Sequence, residues 1–368
     1  MNKRLFLLFS VFCMILFIAG CSRSAKESGH DIRIAEDADR IHAEINDHVT
    51  IDADVEIPEN LKSFRMKKVK AHRPKVDKKT MKKFFFQDGD IAETNIDADY
   101  KCREFGKYDE TNYIGKNEEL LSVSVADTYY NTYDMEYIRN CVFMDPQFED
   151  YNLDKYSLTD ELPFASRDKV FKKIKKVYKA LGVPISDEYE AYALDHRIMK
   201  KEEKPYDSEG NVIEENKKDS WTEEDDAYYF VFHQDVDGEP IRQLQYGDGY
   251  TGTGIEQTEL NAVYGKNGWL EFSEEWAYEL EETEEETEFL SASEAVKAFQ
   301  KKCDMLITEE IWKIDEVELQ LVPVFIKDNE YEIHPVWSFC GISTNKDEKE
   351  FDMEVLIDAI TGKEIVLS

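Results

Sequence analysis

The chain has 368 residues, of which 42% are hydrophobic, and it carries 80 Asp and Glu against 46 Lys and Arg, a formal net charge of −34. An acidic excess of this size argues against nucleic acid as a partner, because such binding depends on Lys and Arg neutralising phosphates. The length suits about two domains, and the charge favours solubility without deciding the fold.

The first element is a leader. Lys3 and Arg4 precede an apolar run from Leu5 to Ala19 broken only by Ser10. A basic head, an apolar run of that length and small residues at its border predict a secretory signal peptide over residues 1–20. The run is short for a bilayer span, which takes about 20 apolar residues. Ile18-Ala19-Gly20-Cys21 resembles the lipobox of bacterial lipoproteins. The resemblance implies that the Cys21 sulfur takes a diacylglyceryl group, that fatty acyl chains such as palmitate follow, and that Cys21 becomes the mature N-terminus. The residue type fits, since a soft thiolate forms the thioether readily and acyl chains on one residue supply stable anchoring. The expected location is extracytoplasmic, with the chain lipid-anchored to the bacterial cell membrane. No second apolar run approaches spanning length, and the mature chain holds 44 basic against 80 acidic residues, a net charge of −36.

Residues 21–47 read as a polar tether, with Ile34, Ala38, Ile41 and Ile45 at helical spacing. A β-rich N-terminal region is expected over 48–160. There, 48–58 and 64–72 alternate apolar and polar residues and predict a hairpin. Residues 61–83 hold eleven Lys or Arg and a single acid, Asp77. The favoured reading is a solvated basic face that pairs with the acidic body. The sharper one is contact of Lys67, Lys68, Lys70, Arg73 and Lys75 with anionic headgroups behind the lipid anchor. A short helix capped by Asp77 follows, then strand-like runs at 119–126 and 135–143. Tyr129, Tyr130, Tyr133 and Tyr137 suit either a sugar-stacking surface or cross-strand packing.

A helix-plus-strands unit is expected over 161–273. "SRDKVFKKIKKVYKALGVP" (166–184) has Ser166 as a cap, an apolar stripe at helical spacing, and Gly182 and Pro184 as stop signals. Strand-like runs follow at 190–199 and 226–235 around an exposed loop at 200–225. Gly238 suits a tight turn, the glycines from Gly247 to Gly254 a surface loop, and Asn267-Gly268 a second hairpin. Nine Glu and no cation fall between 274 and 288, which predicts an acidic linker over 274–290. The last unit, 291–368, opens with a capping box from Ser291 to Glu294 and runs through a helix to about 306. Strands are expected at 312–326, 330–340 and 350–358.

"PVW" at 335–337 and the closing "VLIDAITGKEI" at 355–365 resemble PepSY-like and YycI-like extracytoplasmic modules. The arrangement behind a lipobox is similar to uncharacterised lipoprotein families of Firmicutes. The resemblance implies binding or regulation at the outer membrane face, often of a kinase or protease, with no catalytic residues to carry over. The expected fold class is α+β: antiparallel sheets each covered by a helix, in two related helix-plus-meander units after the N-terminal region.

Catalytic signals are thin. Ser166-Arg167-Asp168-Lys169 and Ser343-Thr344-Asn345 fit two elements of penicillin-recognising acyl-transferases, but Lys-Thr-Gly is absent. His196, His233 and His334 stand in strand-like runs that can converge. Cys102, Cys141, Cys303 and Cys340 allow two bridges, Cys303 with Cys340 and Cys102 with Cys141; reduced buried thiols are an equal reading. No cofactor or metal site is read. The sequence favours a lipid-anchored, non-enzymatic binding or regulatory protein whose partners are the membrane and a membrane-bound protein. The alternatives are a secreted hydrolase or acyl-transferase with a dispersed site, and a glycan-binding surface lipoprotein.

Overall fold

The computed structural model describes residues 35–366 apart from 38–39, 88–89, 103–105, 144–150, 243–259, 306–308 and 328. Cys21 and the glycines from Gly247 to Gly254 lie outside the described residues. The chain begins in one sheet, builds a second, and returns to the first. The opening strands are β1 (Ala35–Asp37), β2 (Arg40–Asn46), β3 (Val49–Glu56) and β4 (Arg65–His72). Helix α1 (Lys78–Phe85) leads into the second sheet, made of β5 (Ile91–Cys102), β6 (Gly106–Gly115), β7 (Leu120–Val123), β8 (Asp127–Asn131), β9 (Glu190–Leu194) and β10 (Ala227–Phe232). After the ribbon β11 (Asp235–Val236) and β12 (Glu239–Pro240), that sheet is completed by β13 (Leu260–Gly265) and β14 (Gly268–Glu275). Its remaining helices are α2 (Asp134–Arg139), α3 (Arg167–Leu181) and α4 (His196–Glu202). The return brings β15 (Glu279–Glu288), α5 (Ala292–Cys303), β16 (Ile311–Lys327), β17 (Glu330–Thr344), β18 (Glu350–Asp358) and β19 (Glu364–Ile365).

The α+β expectation is corrected. The fold is mostly β, with 48% strand and 20% helix, and large curled sheets carry it; of the five α-helices among the described residues, only α3 and α5 are long, and each packs on part of one sheet face without covering it. Nor do two sequential helix-plus-meander units exist. The nine-stranded sheet runs β1-β2-β3-β16-β17-β18-β19, with β4 pairing both β15 and β17, so it joins both ends of the described chain. The eight-stranded sheet runs β5-β6-β7-β8-β14-β13-β10-β9 and draws on both the 48–160 and 161–273 stretches.

Three local expectations fail for one reason. Residues 40–46, expected in the tether, alternate between exposed and buried, with Ile41, Ala43 and Ile45 in the core. Period two overrides the helical spacing because β3 offers an antiparallel partner. The expected 48–58/64–72 hairpin does not form: β3 pairs with β2 and runs parallel to β16, while β4 pairs elsewhere. The expected acidic linker is strand β15, antiparallel to β4. Likewise, 135–143 begins as α2, and the 190–199 run ends as a strand at Leu194 before α4 starts.

Helices α3 and α5 lie where the periodicity puts them. Val170, Ile174, Val177, Tyr178 and Leu181 of α3 are buried with Phe230, Phe232 and Phe272 of the sheet. Each large apolar side chain buried this way stabilises by about 1.5–3 kcal/mol. Gly182 ends α3 with φ +82°, the left-handed stop. Ser166, however, makes no side-chain cap; Glu161 Oε2 accepts from Arg167 N at 2.9 Å instead. On α5 the Ser291–Glu294 capping box is present, and Phe299 stacks on Phe339 at 4.6 Å.

That stack disposes of the Cys303–Cys340 bridge. Cys303 lies in the core beneath α5 with Phe339, and Cys340, one residue along β17, faces the opposite side of the sheet. Cys141, Cys303 and Cys340 are free thiols. The expected Cys102–Cys141 bridge is therefore also absent at Cys141, while the Cys102 side chain lies outside the described residues.

Candidate functional site

The face of the larger sheet that points away from α5 carries an open groove of about 1190 Å³. Strand register aligns Asp54, Glu316, Cys340 and Glu354 across β3, β16, β17 and β18. Arg242 sets the floor, with Nη1 at 2.6 Å from both Gln320 Oε1 and Glu354 Oε1, and Ser338 Oγ donates to Glu354 at 2.5 Å. Burial, and then the carboxylates of Glu318, Glu56, Asp315 and Glu354, raise the Glu316 pKa. Burial pushes the Cys340 thiol up to about 11, so it is no nucleophile at neutral pH.

A second pocket, of about 670 Å³, opens at the start of α4 and is lined in part by Ser157, Glu161, His196 and Asp226. The buried Asp226 Oδ1 accepts from both the backbone N (2.9 Å) and Nδ1 (2.7 Å) of His196. Asp195 caps the helix and grips Arg197; side-chain hydrogen bonds from Arg197 hold its pKa at about 2. One ligand atom from each of Asp195, His196 and Asp226 lies within 4.8 Å of the others, a spacing that can hold a divalent cation. The same contacts also serve as an ordinary helix start, with Asp195 already committed to Arg197.

A third groove, also of about 670 Å³, runs between α2 and residues 205–220. Of the four tyrosines singled out in the sequence, Tyr133 and Tyr137 line it. Tyr130 points into the core against Phe85, and Tyr129 hydrogen-bonds Arg139 on the other face. Tyr206, which local reasoning missed, joins them from an excursion read as a plain loop.

The sequence-derived catalytic groups do not assemble. Ser166 begins α3 on the smaller sheet, whereas Ser343 lies on β17 of the larger one and donates to Glu310 Oε2 at 2.8 Å. His334, on β17, is held between Asp358 (3.2 Å) and Glu332 (3.3 Å), remote in topology from His196 at the smaller sheet. His233 follows β10, and its carbonyl accepts from Ser186 N.

The five cations proposed to meet an anionic surface are mostly engaged within the fold. Lys67 pairs with Glu282 at 3.4 Å and Lys68 with Glu285 at 2.6 Å. Lys70 stands opposite Glu281 and Glu332 in the sheet. Arg73 is 3% exposed, its guanidinium over the Tyr278 ring at 3.9 Å and donating to the Trp276 carbonyl, so headgroup contact at this residue is corrected. Lys75 is exposed.

Among the described residues no helix is long and apolar enough to cross a membrane. No family model matches the chain, and no curated protein matches it. Solved structures do. The crystal structure of an uncharacterized protein from Eubacterium rectale aligns with a TM-score of 0.51 and 18% identity, over 90% of this chain and 94% of that one. At this identity the likeness is one of fold.

Proposed function

We propose that this protein is a lipid-anchored binding or regulatory protein of the outer face of a bacterial membrane, holding a ligand or partner without transforming it. The observation that carries the reading is Ile18-Ala19-Gly20-Cys21 at the end of an apolar run too short to span a bilayer. Behind it stand two curled sheets that leave broad grooves open, the architecture of a recognition scaffold. The order α5, β16, β17, β18 with Pro335-Val336-Trp337 supports a likeness to PepSY-like and YycI-like modules. Metabolic labelling of the full-length precursor with a fatty acid tests the anchor. Wild type should be labelled and Cys21→Ser should not; equal labelling sinks the reading.

One observation favours a second reading, hydrolysis: Asp226 fixes the Nδ1 side of His196 in a pocket that also holds Ser157, the orientation a general base uses. A His196→Ala protein that stays folded yet loses a measured esterase or peptidase turnover would replace the binding reading with this one.

A further inference from the structure

We infer that the groove between α2 and residues 205–220 binds a neutral oligosaccharide chain. This inference rests on the binding reading above and names the ligand class.

The groove's distinguishing feature is exposed tyrosine. Tyr133 is 50% exposed and Tyr206 37% exposed, two of only five exposed aromatic residues among the described residues. Tyr133 meets Tyr137 edge to face, with centroids 5.9 Å apart, which leaves ring surface turned outward. A pyranose ring has an apolar C–H face and a rim of hydroxyls. Its C–H face stacks on tyrosine, and its hydroxyls seek planar amides and carboxylates. Asn140, Asn216, Glu136 and Asp219 line the same groove, while no Leu, Ile, Val or Met does among the described residues. An apolar helix or peptide face would find little there to bury against.

Charge narrows the class. Glu136, Glu215 and Asp219 line the groove, and its two lysines are already paired outside the lining, Lys217 with Glu214 at 2.9 Å and Lys218 with Asp225, within a chain of net charge −34. A polyanionic glycan meets no local positive field to offset that repulsion, and a neutral chain meets no penalty.

The groove is also preorganised, which limits the entropy lost on binding. Buried Glu203 accepts from Lys218 N at 2.7 Å and from Trp221 Nε1 at 2.8 Å, fixing one wall. Asn140 O accepts from Lys204 N at 2.7 Å, which ties that wall to the end of α2. Lys218 Nζ lies 5.4 Å from the Tyr137 ring centroid and 4.9 Å from that of Trp221. At about 670 Å³ the groove falls in the size range of small-molecule sites.

The test uses the full-length chain in a detergent free of sugar. It is titrated with soluble cello-, xylo-, manno- and chito-oligosaccharides, and binding is read by calorimetry and tryptophan fluorescence. At least one series should saturate. Tyr133→Ala and Tyr206→Ala should each weaken that binding about tenfold. Tyr133→Phe and Tyr206→Phe should stay within about threefold, because stacking needs the ring rather than the hydroxyl. Both positions are exposed, so circular dichroism should match wild type. Lack of binding by every series at about 10 mM would overturn the inference, since tenfold is only about 1.4 kcal/mol and weak sites still register there. So would alanine variants that bind like wild type, or displacement of the sugar by short peptides. Chromatography of the recovered sugar separates the two readings. Intact sugar supports both, whereas cleavage with tyrosine-dependent binding overturns the non-catalytic reading and keeps the groove assignment.

Discussion

Glu274 is 1% exposed on β14, close to where the chain leaves the smaller sheet for the larger. Burial raises its pKa to about 8, offset in part by the Ala277 N–H and by Arg73. In the unfolded chain the same carboxyl titrates near 4.5. Between those values the folded protein holds a proton that the unfolded one has released, so stability falls as pH rises from about 4.5 to about 8. His334 acts in the same direction. Burial lowers its pKa, but Asp358 and Glu332 outweigh that and leave it raised; its contribution is present below the unfolded value of 6.5 and lost above it. Denaturant melts of Glu274→Gln from pH 5 to pH 8.5 should therefore show a flatter decline than wild type, with the residual slope above about pH 6.5. Identical slopes would remove Glu274 as the titrating group. The thiols give a second residue-scale expectation: a non-reducing peptide map of the purified protein should contain no Cys303–Cys340 bridge, because β17 turns Cys340 away from α5. Finding that bridge would contradict the register of β17.

At the scale of elements, the pairing of β4 with β15 joins the most basic stretch of the chain to the most acidic. Besides Lys67 and Lys68, Arg65 pairs with Glu288 and His72 Nε2 lies 2.7 Å from Glu279. These pairs are largely exposed, and each such pair contributes about 0–1 kcal/mol. Their stronger effect is on choice of partner, since like charges opposed across a ladder are destabilising. Lys67→Glu/Lys68→Glu should lower the melting temperature measurably at low salt and much less at 1 M NaCl, where the Debye length is about 3 Å. Adding Glu282→Lys/Glu285→Lys should recover most of the loss. A quadruple variant no better than the double would mean that charge does not select this pairing. The sequence favoured basic segment against acidic body but read the acidic run as a linker. A run of like charge looks self-repelling until its counter-strand, more than 200 residues away, is in place. Signals held within a few residues were legible: the α3 stripe, the Ser291 box, the Gly182 stop and the tight turn at Gly238. Tyr133 and Tyr137 were visible as part of a local tyrosine cluster, although the run from 135 reads as a strand and folds as α2. Tyr206 was not, since only the fold brings residues 205–220 over α2.

Across the whole molecule the larger sheet closes only when the two ends of the described chain meet. β3 lies parallel to β16, and Ile51 shares a core with Val317, Leu319 and Phe299. Parallel pairing across this separation is the least legible feature of any sequence, because no local pattern announces it and loop closure must precede its reward. It explains why a chain rich in clear hairpins was divided into consecutive units that the sheets ignore. The division matters for experiment, since 291–368 looks self-sufficient on paper. Cut out alone, that fragment would expose the β16 edge and leave the α5 core without Ile41, Ile51 and Val69. An unpaired edge on a long, half-apolar strand is a template for aggregation. The fragment should therefore lack a cooperative thermal transition and self-associate at micromolar concentration, whereas a chain covering 35–368 should melt cooperatively. Mixing the fragment with a peptide of residues 35–58 should restore part of the β signal in circular dichroism, because that peptide supplies β2 and β3. A monomeric, cooperatively melting 291–368 fragment with dispersed amide resonances would show that the C-terminal strands and α5 form a folding unit of their own, and that β2 and β3 merely extend it.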